Sequence, residues 1–271
     1  MNQPSSVQSL FRTGMRRWRR GVAPLMLATA LGVAGCAGGG TGLGLQLVSP
    51  EQVAEAGEQS WQQIKSQQPA STNSAYRQRV NRVADRVLRG AGENPADWEV
   101  VVFQGAEANA FALPGNKIGV YEGMLEMAKT DDQLAAVIGH EIAHVERAHA
   151  VERVNSQAAT QLGVQVVGGV LQSTGTGGGA LASVLGAGAQ YGLLLPYARN
   201  QELEADRLGL ITMARAGYNP RAAIELWQNM QAAGSGGQPE FLSTHPDPGN
   251  RIAQLERMMP EAEAARRSAG S

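Results

Sequence analysis

The stretch "VIGHEIAHVERAH", residues 137–149, contains three of the four histidines of the chain and decides which fold the sequence predicts. His140 and His144 are four residues apart, so on a helix both imidazoles lie on one face, where they can bind the same metal ion. Glu141 follows about 100° around the helix, close enough to act as a general base on water at the metal. This His-Glu-x-x-His spacing is typical of zinc metalloproteases, and the alternative is a pair of core histidines hydrogen-bonded to backbone.

The residues around the motif predict a helix over 131–150. Thr130 followed by Gln133 fits a capping box, and apolar residues recur with helical spacing after it. His149 comes five residues after His144, about 140° away from the ligand face if the helix is continuous. We therefore predict that His149 is solvated or a neighbour of the ligands, and that the third ligand comes from another segment.

The segment "ARNQELEADRLG", residues 198–209, is the candidate source of that third ligand. Glu202 and Asp206 are four residues apart and share a helix face, whereas Glu204 points about 200° away from Glu202. We predict Glu202 as the third zinc ligand and Asp206 as a carboxylate that orients a ligand histidine, His140 by analogy. The alternative is a solvated acidic face, which the upstream motif makes the weaker interpretation.

The β-strand signals lie just before the metal helix. "WEVVVFQ" (98–104) is short and rich in β-branched residues, and "NAFALPGNKIGVY" (109–121) indicates two strands around the turn sequence Pro114-Gly115-Asn116. The fold class predicted is therefore α+β, mostly helical, with one small β-sheet and no membrane span in the mature chain. The other predicted helices are 50–67, 73–92, parts of 155–194, 199–216, 220–232 and 249–259.

These motifs together resemble the gluzincin peptidases related to the CAAX prenyl protease and the heat-shock protease HtpX. His-Glu-x-x-His is followed by Glu-x-x-x-Asp, while "NAFALPGNKIGVYEGML" (109–125) and "STHPDPGNR" (243–251) are similar to family segments in family order. The similarity spans roughly residues 50–260 and is greatest to the soluble periplasmic branch of BepA-like and lipoprotein metalloproteases. Tetratricopeptide repeats, which BepA-type members carry, are not expected here.

The resemblance implies a zinc metalloendopeptidase that binds one Zn²⁺ per chain and uses Glu141 as its general base. His245 is the candidate second catalytic residue: it either stabilises the oxyanion or occupies the open zinc position, and the alternative is a simple solvated turn. Arg251 either pairs with Asp206 or caps the last helix. Unfolded substrates are expected to bind as an additional strand beside an edge strand formed by Asn109, Ala110, Phe111 and Ala112. The alternative is that these four residues form an ordinary core strand.

The N-terminal residues predict a lipid anchor. Residues 1–35 carry five arginines and no acid, and an apolar run over 21–35 ends in Val33-Ala34-Gly35-Cys36, which resembles a bacterial lipoprotein signal. Lipidation at Cys36 and the following Ala37-Gly38 favour the periplasmic face of the outer membrane over the inner membrane. The alternative is a plain secretory signal with a chance cysteine.

These observations lead to one functional hypothesis, a zinc-dependent endopeptidase of the bacterial cell envelope that acts in protein quality control. Its expected partners are misfolded or misassembled envelope proteins and the membrane, and the mildly acidic body gives no footprint for nucleic acid. The alternative is a chaperone-like or assembly-factor lipoprotein with little proteolysis.

For the apolar, Gly-rich segment 162–196, the sequence predicts a lid or plug over the site, and the alternatives are a membrane-surface hairpin or plain core. The predicted domains are a signal peptide (1–35), a tether (36–49), a metallopeptidase domain (50–260) and a flexible tail (261–271).

Overall fold

The computed structural model describes residues 46–167, 196–233, 239–246 and 250–270. Most of these residues are helical, and one small sheet precedes the metal helix, which confirms the predicted α+β class. None of the helices in these ranges combines the length and hydrophobicity needed to cross a bilayer. In chain order the elements are α1 (Pro50–Gln67), α2 (Ser74–Ala91), a 3-10 turn (Pro95–Asp97), β1 (Glu99–Phe103), β2 (Ala110–Leu113), β3 (Lys117–Tyr121), α3 (Glu122–Met127), α4 (Asp131–Glu146), α5 (His149–Val167), α6 (Arg199–Arg215), α7 (Arg221–Ala233), α8 (Phe241–Thr244) and α9 (Arg251–Ala269).

The sheet has the strand order β1-β3-β2. β1 runs parallel to β3, and β2 runs antiparallel to β3 with Ala112 opposite Ile118. The turn between β2 and β3 uses Gly115 at φ 88° and Asn116 at φ 63°, the left-handed conformations that these residue types tolerate. The two predicted strands around this turn are therefore confirmed, and β2 lies at an edge of the three-stranded sheet.

Helix α1 is fixed on the sheet by aromatic packing. Trp61 is fully buried, and its ring meets the edge of Phe103 at a centroid distance of 5.7 Å and that of Phe111 at 6.2 Å. Lys65 Nζ also lies 2.8 Å from Glu99 Oε1 on β1. These contacts hold α1 against the strands that precede the metal helix.

Helices α4 and α6 pack closely through two glycines. A Cβ added at Gly139 would lie 2.9 Å from the Gly209 carbonyl oxygen, and one added at Gly209 would lie 2.8 Å from the His140 backbone nitrogen. Real Cβ contacts are longer than this, so only glycine permits the two backbones to approach here. The close approach brings the residues of the 140–144 motif next to those of the 202–206 motif.

Two predicted helix ends are wrong. Helix α4 ends at Glu146 rather than 150, because Ala148 adopts φ 52° and a new helix begins at His149. Helix α9 continues past the predicted end at 259 through Pro260 to Ala269, so most of the segment predicted as a tail (261–271) is helical. This extension is held by the fully buried Ala262 and by a bidentate ion pair from Arg207 to Glu261. Of segment 162–196, residues 168–195 lie outside the described residues, as do the signal peptide, Cys36 and most of the tether.

Candidate active site and metal centre

Helix α4 presents His140 and His144 on its buried face. The helix begins at Asp131 as predicted, with the Gln133 backbone N–H donating to Thr130 Oγ1 at 3.2 Å. The predicted capping box is only half formed, because the Gln133 side chain accepts from the Lys129 N–H at 2.9 Å rather than from that of Thr130. His140 and His144 are 5% and 2% exposed, and their Nε2 atoms lie 3.0 Å apart. The spacing of four residues therefore directs both ring nitrogens to one point.

Helix α6 brings two carboxylates to the same point. Glu202 is fully buried, with Oε2 3.5 Å from His140 Nε2 and Oε1 3.4 Å from His144 Nε2. Asp206 Oδ1 lies 3.0 Å from Nδ1 of His140, on the side of the ring that faces away from the cluster. This contact fixes which nitrogen of His140 faces the other donors.

His245 completes the cluster from a third part of the chain. It directly follows α8, where its backbone N–H donates to the Phe241 carbonyl at 2.9 Å and its ring stacks on that of Phe241. Its Nδ1 lies 3.1 Å from Glu202 Oε1 and 3.2 Å from His140 Nε2. His245 is 1% exposed, so the structure does not place it in a solvated turn.

Arg251, the first residue of α9, neutralises the carboxylates behind the cluster. Its guanidinium donates to Glu202 Oε2 at 3.0 Å and to Asp206 Oδ1 at 2.6 Å, and it lies over the Trp227 ring at 3.8 Å. Of the two roles left open by the sequence, the structure shows the pairing with Asp206 and adds a second contact to Glu202. The arginine thereby fixes both α6 carboxylates in one orientation.

The donor set fits a zinc ion. One ligand atom from each of His140, His144, Glu202 and His245 lies within 4.8 Å of the others, and all four residues are buried. A neutral imidazole carries only one ring proton, so nitrogens that converge to 3.0–3.2 Å cannot all be satisfied by donating to one another. Imidazole nitrogens and carboxylate oxygens are the ligands that zinc takes in catalytic sites.

The electrostatics of the cluster follow from burial and from its paired charges. Burial lowers the pKa of His140, but the charge of Glu202 and the hydrogen bond to Asp206 outweigh it and raise this pKa to about 9. Burial lowers the pKa of His144 well below its ordinary value. Burial acts to raise the pKa of Glu202, yet the neighbouring imidazoles hold it well below its usual range. Glu202 is therefore an ionised ligand, as a cation requires.

Glu141 lies beside the cluster with an unused oxygen. Its Oε1 is buried and forms no hydrogen bond within the described residues, although His245 Nε2 lies 3.2 Å away. Burial raises the pKa of Glu141 above its ordinary value, against the opposing charges of His245 and His140. A carboxylate with a raised pKa and a free oxygen next to a metal cluster is suited to accept a proton.

Two further residues contact His144. One is His149, for which the sequence left a position beside the ligands as one of two alternatives, and the other is Tyr197, which the sequence did not single out. The break at Ala148 turns His149 back toward the cluster, where its Nδ1 lies 2.9 Å from His144 Nδ1 and its Nε2 lies 3.4 Å from Glu204 Oε2. Tyr197, just before α6, stacks on His144 with ring centroids 3.7 Å apart. No pattern in the sequence identifies Tyr197, because its contact joins segments that are far apart in the chain.

A cavity of about 500 Å³ opens beside Glu141 and His245. Asn109, Phe111 and Ala112 of the predicted substrate strand line one side, and Ala110 lies between them in β2. Asn109 Oδ1 is buried without a hydrogen bond among the described residues. The edge strand, Glu141 and one of the candidate metal ligands, His245, therefore line the same cavity.

Comparison with known proteins adds the family. Residues 74–259 match the profile of the family described as peptidase family M48. The chain is 39% identical to the mitochondrial metalloendopeptidase OMA1 of Schizosaccharomyces pombe over 189 residues, which are 69% of this chain and 54% of that protein. It is 33% identical to the human metalloendopeptidase OMA1 over 178 residues, 63% of this chain and 34% of that protein. It is 28% identical to the beta-barrel assembly-enhancing protease of Escherichia coli K12 over 220 residues, 79% of this chain and 45% of that protein. The chain thus spans about half or less of each of these relatives.

Proposed function

Because the chain belongs to peptidase family M48, we propose that it is a zinc-dependent endopeptidase that cleaves misfolded or misassembled proteins of the bacterial cell envelope. The observation that carries this proposal is the convergence of His140, His144, Glu202 and His245 within 4.8 Å, beside Glu141 and an open cavity. A structural zinc site would not need a buried carboxylate with a free oxygen at the mouth of a cleft.

The side chains around the metal have separate tasks. Zinc, when bound, supplies a positive charge that polarises the peptide carbonyl and makes a neighbouring water more acidic. Glu141 accepts the proton of that water through its free oxygen and returns it to the leaving amine. Asp206 and Arg251 hold the ligands in place from behind, since they contact His140 and Glu202.

His245 has a ligand-like position in this structure, with Nδ1 among the donors and Nε2 toward Glu141. With His140, His144 and Glu202, His245 would supply a fourth donor to a bound zinc, and in that position it would keep water away from the metal. His245 also lines the cavity, and from there it could donate to the developing oxyanion. The two roles that the resemblance implies are therefore successive positions of one side chain.

The substrate is an extended chain that pairs with β2. An edge strand offers main-chain donors and acceptors to any peptide, so pairing of this kind selects for exposed backbone rather than for sequence. Asn109 Oδ1 supplies a further acceptor at the start of the strand. Unfolded proteins present such backbone and folded ones do not, which supports a role in quality control.

The envelope location rests on the N-terminal sequence. The lipobox-like Val33-Ala34-Gly35-Cys36 supports lipidation at Cys36 and attachment to the periplasmic face of the outer membrane. The matched bacterial relative is named a beta-barrel assembly-enhancing protease, whereas the S. pombe and human relatives are named as mitochondrial. A bacterial lipoprotein signal favours the first of these environments.

Replacing the proposed base tests the activity. We expect Glu141→Gln to lower casein cleavage by at least about 100-fold, since it removes the general base, while bound zinc stays at one per chain. Zinc is measured by elemental analysis of the same preparation.

The matched control is Glu146→Gln, the same change at an exposed carboxylate five residues along α4. It should cleave casein at the wild-type rate. Cleavage by Glu141→Gln at that rate would refute the assigned base, and a wild-type protein that binds zinc but cuts no unfolded substrate would refute the peptidase proposal.

Replacing Cys36 tests the location. We expect Cys36→Ala to lose labelling by radioactive palmitate and to leave the outer-membrane fraction, because the acyl chains are attached through this residue. The comparison variant is Ala37→Asp, which should keep the label but fractionate with the inner membrane. An unlabelled wild-type protein would contradict lipidation.

A further inference from the structure

We propose that one face of α1 forms a substrate subsite that takes an uncharged polar side chain of the bound peptide. This inference rests on the proposed peptidase function and adds a selective contact that pairing along β2 does not provide. Helix α1 ends before residue 74, where the match to the family profile begins.

The subsite faces the substrate strand across the cavity. Ser60, Gln63, Ile64 and Gln67 follow the spacing i, i+3, i+4 and i+7, which places them on one side of a helix, and all four line the cavity. Phe111 and Ala112 of β2 line the same cavity from the sheet, and Glu141 lies in it too. A peptide bound along β2 would therefore lie between the strand and this helix face.

The amides on this wall are uncommitted. Within the described residues, the side chains of Gln63, Gln67 and Gln68 form no hydrogen bond, although all three line the cavity. Gln62, on the solvent side of the same turn, donates to Glu58 Oε1 at 2.6 Å and does not line the cavity. The free amides are therefore on the cavity side of α1.

Core packing holds the α1 face in a fixed position relative to β2, as selection between substrate side chains requires. Trp61, next to these glutamines, is fully buried against Phe103 and Phe111, so α1 and β2 share one aromatic cluster. The ion pair of Lys65 with Glu99 fixes the same turn of α1 to β1. The width of the cleft between Gln63 and β2 is consequently set by core packing.

The chemistry of the wall selects neutral polar groups. A primary amide both donates and accepts, so it can pair with Ser, Thr, Asn or Gln side chains. Helix α1 itself contributes no charged side chain to the cavity, so this wall offers no ion pair to an acidic or a basic side chain. An apolar side chain would leave the amides desolvated without partners.

The test changes the charge of the wall and reads the cleavage preference. Fluorogenic peptides carry Gln, Leu, Lys or Glu at each position from four before to four after the scissile bond, and kcat/KM is measured for each. The wild type should prefer Gln at one position. Gln63→Lys should shift that position toward Glu by about threefold, and Gln63→Glu should shift it toward Lys by a similar factor, as expected for one partly screened charge pair.

Gln62→Lys and Gln62→Glu are the matched controls, since they place the same charges on the solvent face of the same turn. They should leave every preference at the wild-type value. The subsite is overturned if the Gln63 variants cleave with wild-type preferences or if the Gln62 variants shift them equally, and in both cases the peptidase proposal stands. A wild type that cleaves none of the peptides and no casein refutes the peptidase proposal and the subsite together.

Discussion

At the scale of single residues, His149 acts on the metal centre through His144. With zinc bound to Nε2 of His144, its Nδ1 would carry the proton, and His149 Nδ1 lies 2.9 Å away in position to accept it. We expect His149→Phe to weaken zinc binding by about 10–100-fold, the usual effect of losing a partner behind a ligand histidine. Competition with a chromophoric chelator measures the affinity.

His149→Gln is the conservative variant for this prediction, because its amide oxygen can still accept a hydrogen bond. It should restore most of the affinity that His149→Phe loses, while thermal unfolding of the metal-free proteins shows whether the two variants are equally folded. Equal zinc affinities for wild type and His149→Phe would contradict the assignment.

The same residue shows what sequence reasoning can reach. The spacings that place His140 beside His144 and Glu202 beside Asp206 follow from a regular helix, and the structure brings all four together. The position of His149 depends on one left-handed residue, Ala148 at φ 52°, which no residue preference predicts. Extrapolation along an unbroken helix left two alternatives for His149, a solvated residue or a neighbour of the ligands, and the structure shows the second.

At the scale of elements, the glycine contact between α4 and α6 sets the geometry of the ligands. Gly209→Ala would place a methyl group 2.8 Å from the His140 backbone nitrogen, so the two helices must separate. We expect about 1–3 kcal/mol of lost stability, typical of overpacking, together with weaker zinc binding because Glu202 and His140 move apart. Chemical denaturation and chelator competition measure the two effects.

Gly92→Ala is the control for this prediction. Gly92 caps α2 at φ 86° with no atom within 4 Å of an added Cβ, so the substitution costs about 1 kcal/mol through backbone strain alone. It should lower stability without changing zinc affinity. If Gly209→Ala bound zinc as tightly as Gly92→Ala, the contact would have only a structural role.

At the scale of the whole molecule, the contacts between elements that are distant in sequence are the part of the fold that local sequence patterns do not predict. The strands around Pro114–Asn116 and the periodic helices follow from turn residues and apolar spacing, and the structure contains them. The seat of α1 on the sheet depends on Trp61 meeting Phe103 and Phe111, which are distant in sequence. The continuation of α9 past Pro260 likewise depends on partners in α6 and α7, among them Arg207 and Arg221.

Because the proposed zinc ligands come from distant parts of the chain, we expect removal of zinc to lower the stability of the entire domain. The donors come from α4, α6 and the residue after α8, and any ligand that binds only the folded state stabilises it in proportion to the logarithm of its concentration. Zinc at about 1,000 times its dissociation constant should add about 4 kcal/mol, or roughly 8–16 °C in Tm for a domain of this size. Calorimetry with zinc and with a chelator measures the shift.

Two variants separate metal binding from catalysis in that measurement. Glu141→Gln keeps every donor and should show the full shift, whereas His144→Ala removes one donor and should show little of it. The cluster would be refuted as the zinc site if His144→Ala retained the wild-type shift. If Glu141→Gln keeps the full Tm shift but loses cleavage, the metal ligands are responsible for the zinc-dependent stability and Glu141 is responsible for catalysis.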